Sequence, residues 1–142
     1  MAKGITKAVK NAALMLPNSK NRTTMTKIAP SILAADFSNL EQEISAINQT
    51  ECDYIHCDIM DGHFVPNISF GSEIIKTIRP ITNKTLDIHL MIEPALPYIK
   101  NFADAGANII TFHYEAEKNH FEVINQIKKF KVKAGIAIKP ET

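Results

Sequence analysis

Five short apolar segments recur along the chain at intervals of roughly 25–30 residues, and amphipathic segments lie between them. That interval is about the length of one strand-plus-helix unit. The apolar segments, which we predict to be strands, begin near positions 28, 53, 84, 108 and 132. Because continuous apolar strands alternate with helices, the pattern predicts an α/β protein whose parallel sheet is covered by helices.

The predicted elements are compatible with two architectures, an open doubly wound sheet and part of a (β/α)₈ barrel. No G-x-G-x-x-G sequence follows the first strand, so a dinucleotide-binding sheet has no support. A closed barrel needs eight strands and typically ~200 residues or more, so five strands would form an open arc. We expect Ser38 to cap the first helix, Pro94 to begin the third and Gly106 to end it. The predicted strands span 28–33, 53–60, 85–91, 108–113 and 132–138, and the predicted helices 38–48, 72–79, 94–106 and 119–130.

The basic residues are distributed unevenly. Residues 1–27 contain six of the 16 Lys and Arg residues and no acid, which leaves 10 basic and 15 acidic residues in 28–142, a formal charge of −5. We therefore predict a disordered basic extension at 1–26 ahead of a barrel-type domain at 27–142. An organellar import sequence is the alternative for the extension, although it has one Arg and is broken by Pro17.

Composition excludes several functional classes. A negatively charged body offers no electrostatic footprint for nucleic acid. No apolar run approaches the ~18 residues of a membrane span. Cys52 and Cys57 are too few for a disulfide framework, which is typical of a reducing compartment. We expect a cytoplasmic protein that binds neither nucleic acid nor membrane.

Two of the predicted strands carry polar side chains at alternate positions. Side chains two residues apart share one face of a strand, whereas the intervening apolar residues face the helices. A strand buried on both faces would be apolar throughout, so the polar face is expected to line a site. Its residues are His56, Asp58 and Met60 on the second strand and Asp87, His89 and Met91 on the third.

Three of these residues have metal-ligand chemistry. A single histidine on a strand is usually a core residue with satisfied hydrogen bonds, but His56, Asp58 and His89 occupy matching faces of successive strands. They also lie near the C-terminal strand ends, where parallel sheets and barrels place their sites. Imidazole and carboxylate together suit zinc, iron(II) or manganese. We predict that the three residues bind one divalent cation.

Several ordered motifs resemble one known family. They are Ala-Pro-Ser-Ile-Leu at 29–33, Asp-Ile-Met-Asp-Gly-His-Phe-Val-Pro-Asn at 58–67, Asp-Ile-His-Leu-Met at 87–91, Thr-Phe-His-Tyr-Glu-Ala at 111–116 and Lys-Pro at 139–140. Together they resemble the ribulose-phosphate 3-epimerases, over about residues 27–142 and in the family's order and spacing. A ten-residue match with four ordered partners is highly specific.

The resemblance implies a metal-dependent (β/α)₈-barrel enzyme of the pentose phosphate pathway. Such an enzyme interconverts D-ribulose 5-phosphate and D-xylulose 5-phosphate through an enediolate. By position, Asp58 resembles one of two acid/base aspartates. The resemblance further implies metal ligands at His56, Asp58 and His89, and substrate contacts at Ser31, Met60, His89 and Met91.

The family's second catalytic aspartate, which is also its fourth metal ligand, lies on a later strand. Its glycine-rich phosphate loops also follow the fifth strand, and this chain ends at Thr142. We therefore expect an N-terminal portion with about five of eight strands and no appreciable activity alone. The protein partner is expected to be either a second copy of this chain, in a homo-oligomer, or a complementing C-terminal chain. The alternatives are a noncatalytic truncated or split-gene fragment and a related hexulose-phosphate 3-epimerase.

Five further residues receive no direct role in catalysis. We expect His113 and Glu115 to support the site rather than react, and Asp87 to give hydrogen-bonding support. His63 follows a glycine in a turn and is expected to be solvated or capping. His120 is predicted to lie on a helix surface.

Overall fold

The structure, a computed structural model, describes residues 26–142 and contains one parallel sheet of four strands in the order β1-β2-β3-β4. Sequential parallel order without a reversal is the arrangement of a barrel wall, whereas a doubly wound sheet reverses its order at a switch point. The chain therefore forms part of a (β/α)₈-type fold. The strands are β1 (Tyr54–Met60), β2 (Thr85–Met91), β3 (Ile109–His113) and β4 (Lys133–Ala137).

Helices precede and connect the strands, as expected from the alternating pattern. They are α1 (Leu40–Asn48), α2 (Ser72–Ile78), α3 (Ile99–Asp104) and α4 (His120–Lys129), with short 3₁₀ turns at several ends. The predicted basic extension lies outside the described residues, apart from residue 26. No helix within 26–142 is long and apolar enough to cross a membrane.

The predicted first strand is wrong in its extent. Residues 28–31 run beside β1, where the carbonyl of Pro30 accepts from the His56 N–H (2.9 Å), but only Ser31 and His56 form a bridge. Proline has no N–H to donate, so the ladder cannot continue on both sides of Pro30. The chain then turns into a 3₁₀ helix at Ile32–Ala34. Four strands and one bridged segment replace the five strands expected.

Two predicted helix starts also differ from the structure. Ser38 lies inside a 3₁₀ turn whose cap is Asp36, because the Asp36 carboxylate accepts from the Ser38 N–H at 2.9 Å. Pro94 does not begin a helix; a 3₁₀ turn starts at Leu96 and α3 follows it. The predicted terminator is confirmed, since Gly106 has φ +102°, a conformation that favours glycine.

One face of the sheet packs on the helices and forms the core. Alternate residues of β1 and β2 are buried, and the residues between them are half-buried. Burying one isoleucine contributes ~1.5–3 kcal/mol, so this apolar face holds the sheet to the helices. The polar face is thereby left for the site. The core contains Ile55, Cys57, Ile59, Leu86, Ile88 and Leu90 from the strands and Ile44, Ile75, Ile99 and Ile127 from the helices.

Candidate functional site

The register of β1 and β2 places the polar positions of both strands side by side. Asp58 pairs with His89, and His56 pairs with Asp87. Neighbouring parallel strands lie ~4.8 Å apart, so paired side chains on one face are within reach of each other. The shared face predicted from the alternation is confirmed.

His56, Asp58 and His89 converge on one point. Oδ1 of Asp58 lies 3.2 Å from Nε2 of His56 and 3.3 Å from Nδ1 of His89. One donor atom from each residue lies within 4.8 Å of the other two. Two ligands at tetrahedral angles on a zinc ion, each about 2.1 Å from it, are about 3.4 Å apart. The three side chains can therefore hold a metal ion with little rearrangement.

Asp87 contacts the ring nitrogen of His56 that does not face Asp58. Its Oδ2 lies 2.8 Å from Nδ1 of His56, so the imidazole is held between two carboxylates. The hydrogen bond to Asp58, followed by that to Asp87, raises the pKa of His56 to about 9. A carboxylate on the outer nitrogen of a ligating histidine is a common arrangement, because it fixes the ring and strengthens the donor. The supporting position expected for Asp87 agrees with this contact.

The two oxygens of Asp58 have different partners. While Oδ1 faces the histidines, Oδ2 accepts a hydrogen bond from Oγ of Ser31 at 2.5 Å. The hydrogen bond from His56 holds the pKa of Asp58 well below its usual range. Asp58 is thus an anion at neutral pH, the form that ligates a cation or accepts a proton. Ser31, which the family resemblance places near the substrate, contacts this carboxylate directly.

Met60 and Met91 lie at the ends of their strands. They pair with each other in the register and are half-buried on the same face as Asp58 and His89. Their thioethers are polarizable and carry no acidic proton. The structure thus brings together all six residues singled out from the sequence.

A second group of side chains adjoins the first through His89. Nε2 of His89 lies 2.9 Å from Nε2 of His113, and the two rings stack with centroids 4.9 Å apart. Nδ1 of His113 faces Oε2 of Glu115 at 3.4 Å. Burial, followed by the charge of His89, lowers the pKa of His113. Sequence reasoning gave both residues a supporting role but not their partner.

Glu115 and Phe64 hold this second group in place. The Lys139 N–H donates to Oε1 of Glu115 at 2.7 Å, and this bond, with that from the Thr142 hydroxyl, lowers the pKa of Glu115 to about 2. The Phe64 ring packs on the His113 ring, with centroids 4.6 Å apart. Nζ of Lys139 lies 4.3 Å from the centroid of the Phe64 ring. No spacing in the sequence indicates these contacts, because they join separate loops.

Two remaining histidines lie away from the cluster. The His63 side chain is 78% exposed in a turn where the Asp61 carboxylate accepts from its N–H. His120 begins α4 and bonds through Nε2 to the Tyr114 carbonyl at 2.8 Å. Both agree with the turn and helix-surface positions expected.

Comparison with known proteins gives a consistent result. Residues 27–142 match the sequence model described as the ribulose-phosphate 3 epimerase family. A ribulose-phosphate 3-epimerase of Bacillus subtilis is 49% identical over 118 residues, which are 83% of this chain and 54% of the relative. One from Synechocystis is 49% identical over 117 residues, 81% of this chain and 51% of the relative. The Arabidopsis thaliana "Ribulose-5-phosphate-3-epimerase, chloroplastic" is 41% identical over 117 residues, which are 81% of this chain and 42% of the relative. The chain spans about half the length of these curated relatives.

Proposed function

Since this chain belongs to the ribulose-phosphate 3-epimerase family, we propose that it carries the metal-binding part of an active site that interconverts D-ribulose 5-phosphate and D-xylulose 5-phosphate. The observation that carries the proposal is the convergence of His56, Asp58 and His89. Pentulose phosphate is preferred to hexulose phosphate because the curated relatives named above are all ribulose-phosphate epimerases.

In this proposal His56, Asp58 and His89 hold one divalent cation, zinc, iron(II) or manganese. A cation held by these residues would supply positive charge that stabilises an enediolate, the anion formed when a proton leaves the carbon next to a ketone. Asp87 keeps Nε2 of His56 pointed at the site through its bond to Nδ1. The ligand set excludes magnesium and calcium as preferred ions, because those favour oxygen donors.

Asp58 is proposed as one of the two proton-transfer groups. Epimerisation requires a proton to leave one face of the substrate carbon and return on the other, so two opposed groups are needed. The Asp58 carboxylate is ionised, and the Ser31 hydroxyl holds one of its oxygens at 2.5 Å. This bond fixes the direction in which the carboxylate presents its lone pairs.

The substrate-binding roles fall to Ser31, His89, Met60 and Met91. Ser31 and His89 lie against Asp58, so a sugar within reach of the carboxylate would also be within reach of both. The methionines form an apolar wall that carries no competing proton donor, which protects a reactive intermediate. We propose a cytoplasmic location, with import through residues 1–26 as the alternative that a fluorescent fusion of this segment would reveal.

The proposal is tested by turnover of ribulose 5-phosphate. The 142-residue chain, loaded with zinc or manganese, is assayed alone and together with a separately produced polypeptide covering the remaining half of the Bacillus subtilis relative. We expect turnover in the mixture, and a ~10²–10⁴-fold loss when Asp58→Asn replaces the wild type, because a proton-transfer group is removed. The same variant controls for contaminating host epimerase. Turnover that depends on adding this chain and is equal for wild type and Asp58→Asn would contradict the assignment.

A further inference from the structure

A row of three side chains leads away from the metal-ligand group through His89. Nε2 of His89 is 2.9 Å from Nε2 of His113, and Nδ1 of His113 is 3.4 Å from Oε2 of Glu115. Both atoms of the last pair are buried, and within residues 26–142 they have no other hydrogen-bond partner. Buried polar atoms without partners are rare, so two that face each other point to a shared proton.

The possible positions of protons in this row are limited. Two imidazole nitrogens at 2.9 Å are bonded only when one carries a hydrogen and the other does not. If Nδ1 of His89 is to donate its lone pair to a cation, the hydrogen of that ring must be on Nε2. His113 then accepts at Nε2 and carries its own hydrogen on Nδ1, which points at a carboxylate that can only accept.

We propose that His113 and Glu115 are positioning residues that hold His89 in the tautomer protonated at Nε2, so that Nδ1 is presented to the cation. The inference rests on the metal site of the proposed function. It extends the arrangement seen at His56, where one carboxylate contacts the ligand directly. At His89 the carboxylate acts through an intervening imidazole.

Glu115 is itself fixed by contacts on its other oxygen. Oε1 accepts from the Lys139 N–H at 2.7 Å and from the Thr142 hydroxyl, which leaves Oε2 directed at His113. The Phe64 ring packs 4.6 Å from the His113 ring and restricts its rotation. The backbone N–H of Lys139 can only donate, so it determines which groups donate and which accept along the row.

This direction makes Glu115→Gln an informative isosteric variant. The amide oxygen must stay on the Lys139 N–H, so the amide NH₂ takes the place of Oε2 and faces Nδ1 of His113. His113 must then accept at Nδ1 and carry its hydrogen on Nε2. Two donors would face each other unless His89 moves its hydrogen to Nδ1, the atom needed for the cation. The variant is expected to exchange donor and acceptor in both hydrogen bonds of the row, from residue 115 to His113 and from His113 to His89.

The test measures histidine tautomers and zinc affinity at one fixed pH. In the metal-free 142-residue chain, ¹⁵N NMR of the imidazoles should show His89 protonated at Nε2, and Glu115→Gln should move that proton to Nδ1. Zinc affinity should fall by ~10–100-fold, the usual effect of losing an outer partner of a ligand. His113→Phe, which keeps a ring but removes the acceptor, should also weaken zinc binding.

The matched control is Glu117→Gln. Glu117 is a carboxylate two residues further on that accepts from the backbone N–H groups of Ala95 and Leu96. Among the described residues its hydrogen bonds do not include one to His89 or His113. The Glu117→Gln substitution should leave the His89 tautomer and the zinc affinity unchanged. The inference is overturned if wild-type His89 is protonated at Nδ1, or if Glu115→Gln binds zinc like the wild type. A wild type that binds no zinc would contradict the proposed function. The tautomers measured by NMR would still show whether His113 and Glu115 hold the hydrogen of His89 on Nε2.

Discussion

At the scale of single residues, the two oxygens of Asp58 face different partners. Its Oδ1 faces His56 and His89, whereas its Oδ2 bonds Ser31. Because the oxygens have separate partners, the proposed ligand role and the proposed proton-transfer role can be tested separately. Removing Ser31 alters one oxygen, and removing the carboxylate alters both.

We expect Ser31→Ala to reduce turnover in the two-chain assay by ~10–100-fold, because a hydrogen bond to a charged group contributes ~1.5–3 kcal/mol. Zinc affinity should change less than tenfold, since Oδ1 keeps its neighbours. Ser38→Ala is the control, because the Ser38 hydroxyl donates to the exposed carboxylate of Asp36 instead of to Asp58. A loss of zinc affinity as large as that of Asp58→Asn would show that the two oxygens are not separable.

The metal-free chain should lose stability as the pH rises from about 6.5 to about 9. The pKa of His56 is about 9 in the folded chain and ~6.5 when unfolded, so the stabilising proton is present below this window and lost above it. Across this window the free energy of unfolding should fall by on the order of 3 kcal/mol. Urea unfolding in chelator at pH 6.5 and 9.5 measures it, and His56→Gln should remove most of the dependence. An unchanged dependence in that variant would assign it to other groups.

At the scale of elements, Arg79 joins the connections at the end of the sheet opposite the site. Its guanidinium donates to the carbonyls of Thr82 and Lys84 and to Oδ1 of Asn108. Asn108 in turn accepts from the N–H of Leu86 at the start of β2. Residues at this end of a barrel wall are expected to serve stability rather than chemistry.

We expect Arg79→Met to reduce the free energy of unfolding by ~2–4 kcal/mol, because several carbonyls lose a charged donor. Zinc affinity of the folded fraction should remain that of the wild type. Lys76→Met on the exposed side of α2 is the control and should change stability by less than ~0.5 kcal/mol. If the folded fraction of Arg79→Met bound zinc more weakly than the wild type, the division of roles between the two ends of the sheet would be contradicted.

The elements also show what the sequence could and could not predict. Period-two alternation identified β1 and β2 and the face carrying His56 and His89, because a strand fixes the direction of its side chains. It could not locate the end of the first strand, since that depended on the missing N–H of Pro30. The contact between His89 and His113 also escaped prediction, because it depends on the register of β2 with β3 and on loop packing.

At the scale of the whole molecule, the edge strand β4 is the most exposed part of the sheet. Ile136 pairs with Phe112 on the helix-facing side, yet Phe112 is 0% exposed and Ile136 is 46% exposed. Ile138, which directly follows β4, is 65% exposed. Within residues 26–142, β4 is paired only with β3. Open edges with apolar neighbours favour association between chains.

We expect the 142-residue chain to self-associate as its concentration rises, as measured by sedimentation velocity. Ile136→Lys with Ile138→Lys should shift the distribution towards monomer, because charge at an edge opposes pairing. Phe121→Lys is the control, since it removes an 80% exposed aromatic from α4 instead. Equal effects of both changes would assign association to general hydrophobicity. An unaltered distribution in the double variant would place the contact elsewhere.

The central claim, that His56, Asp58 and His89 form one metal site, is tested most directly by zinc titration calorimetry. The wild-type chain is compared with His56→Gln, Asp58→Asn and His89→Gln, and with His63→Gln and His120→Gln as histidine controls outside the cluster. We predict one zinc ion per chain, at least tenfold weaker binding in each of the three cluster variants, and wild-type binding in both controls. Wild-type affinity in any cluster variant, or an equal loss in the controls, would contradict the account.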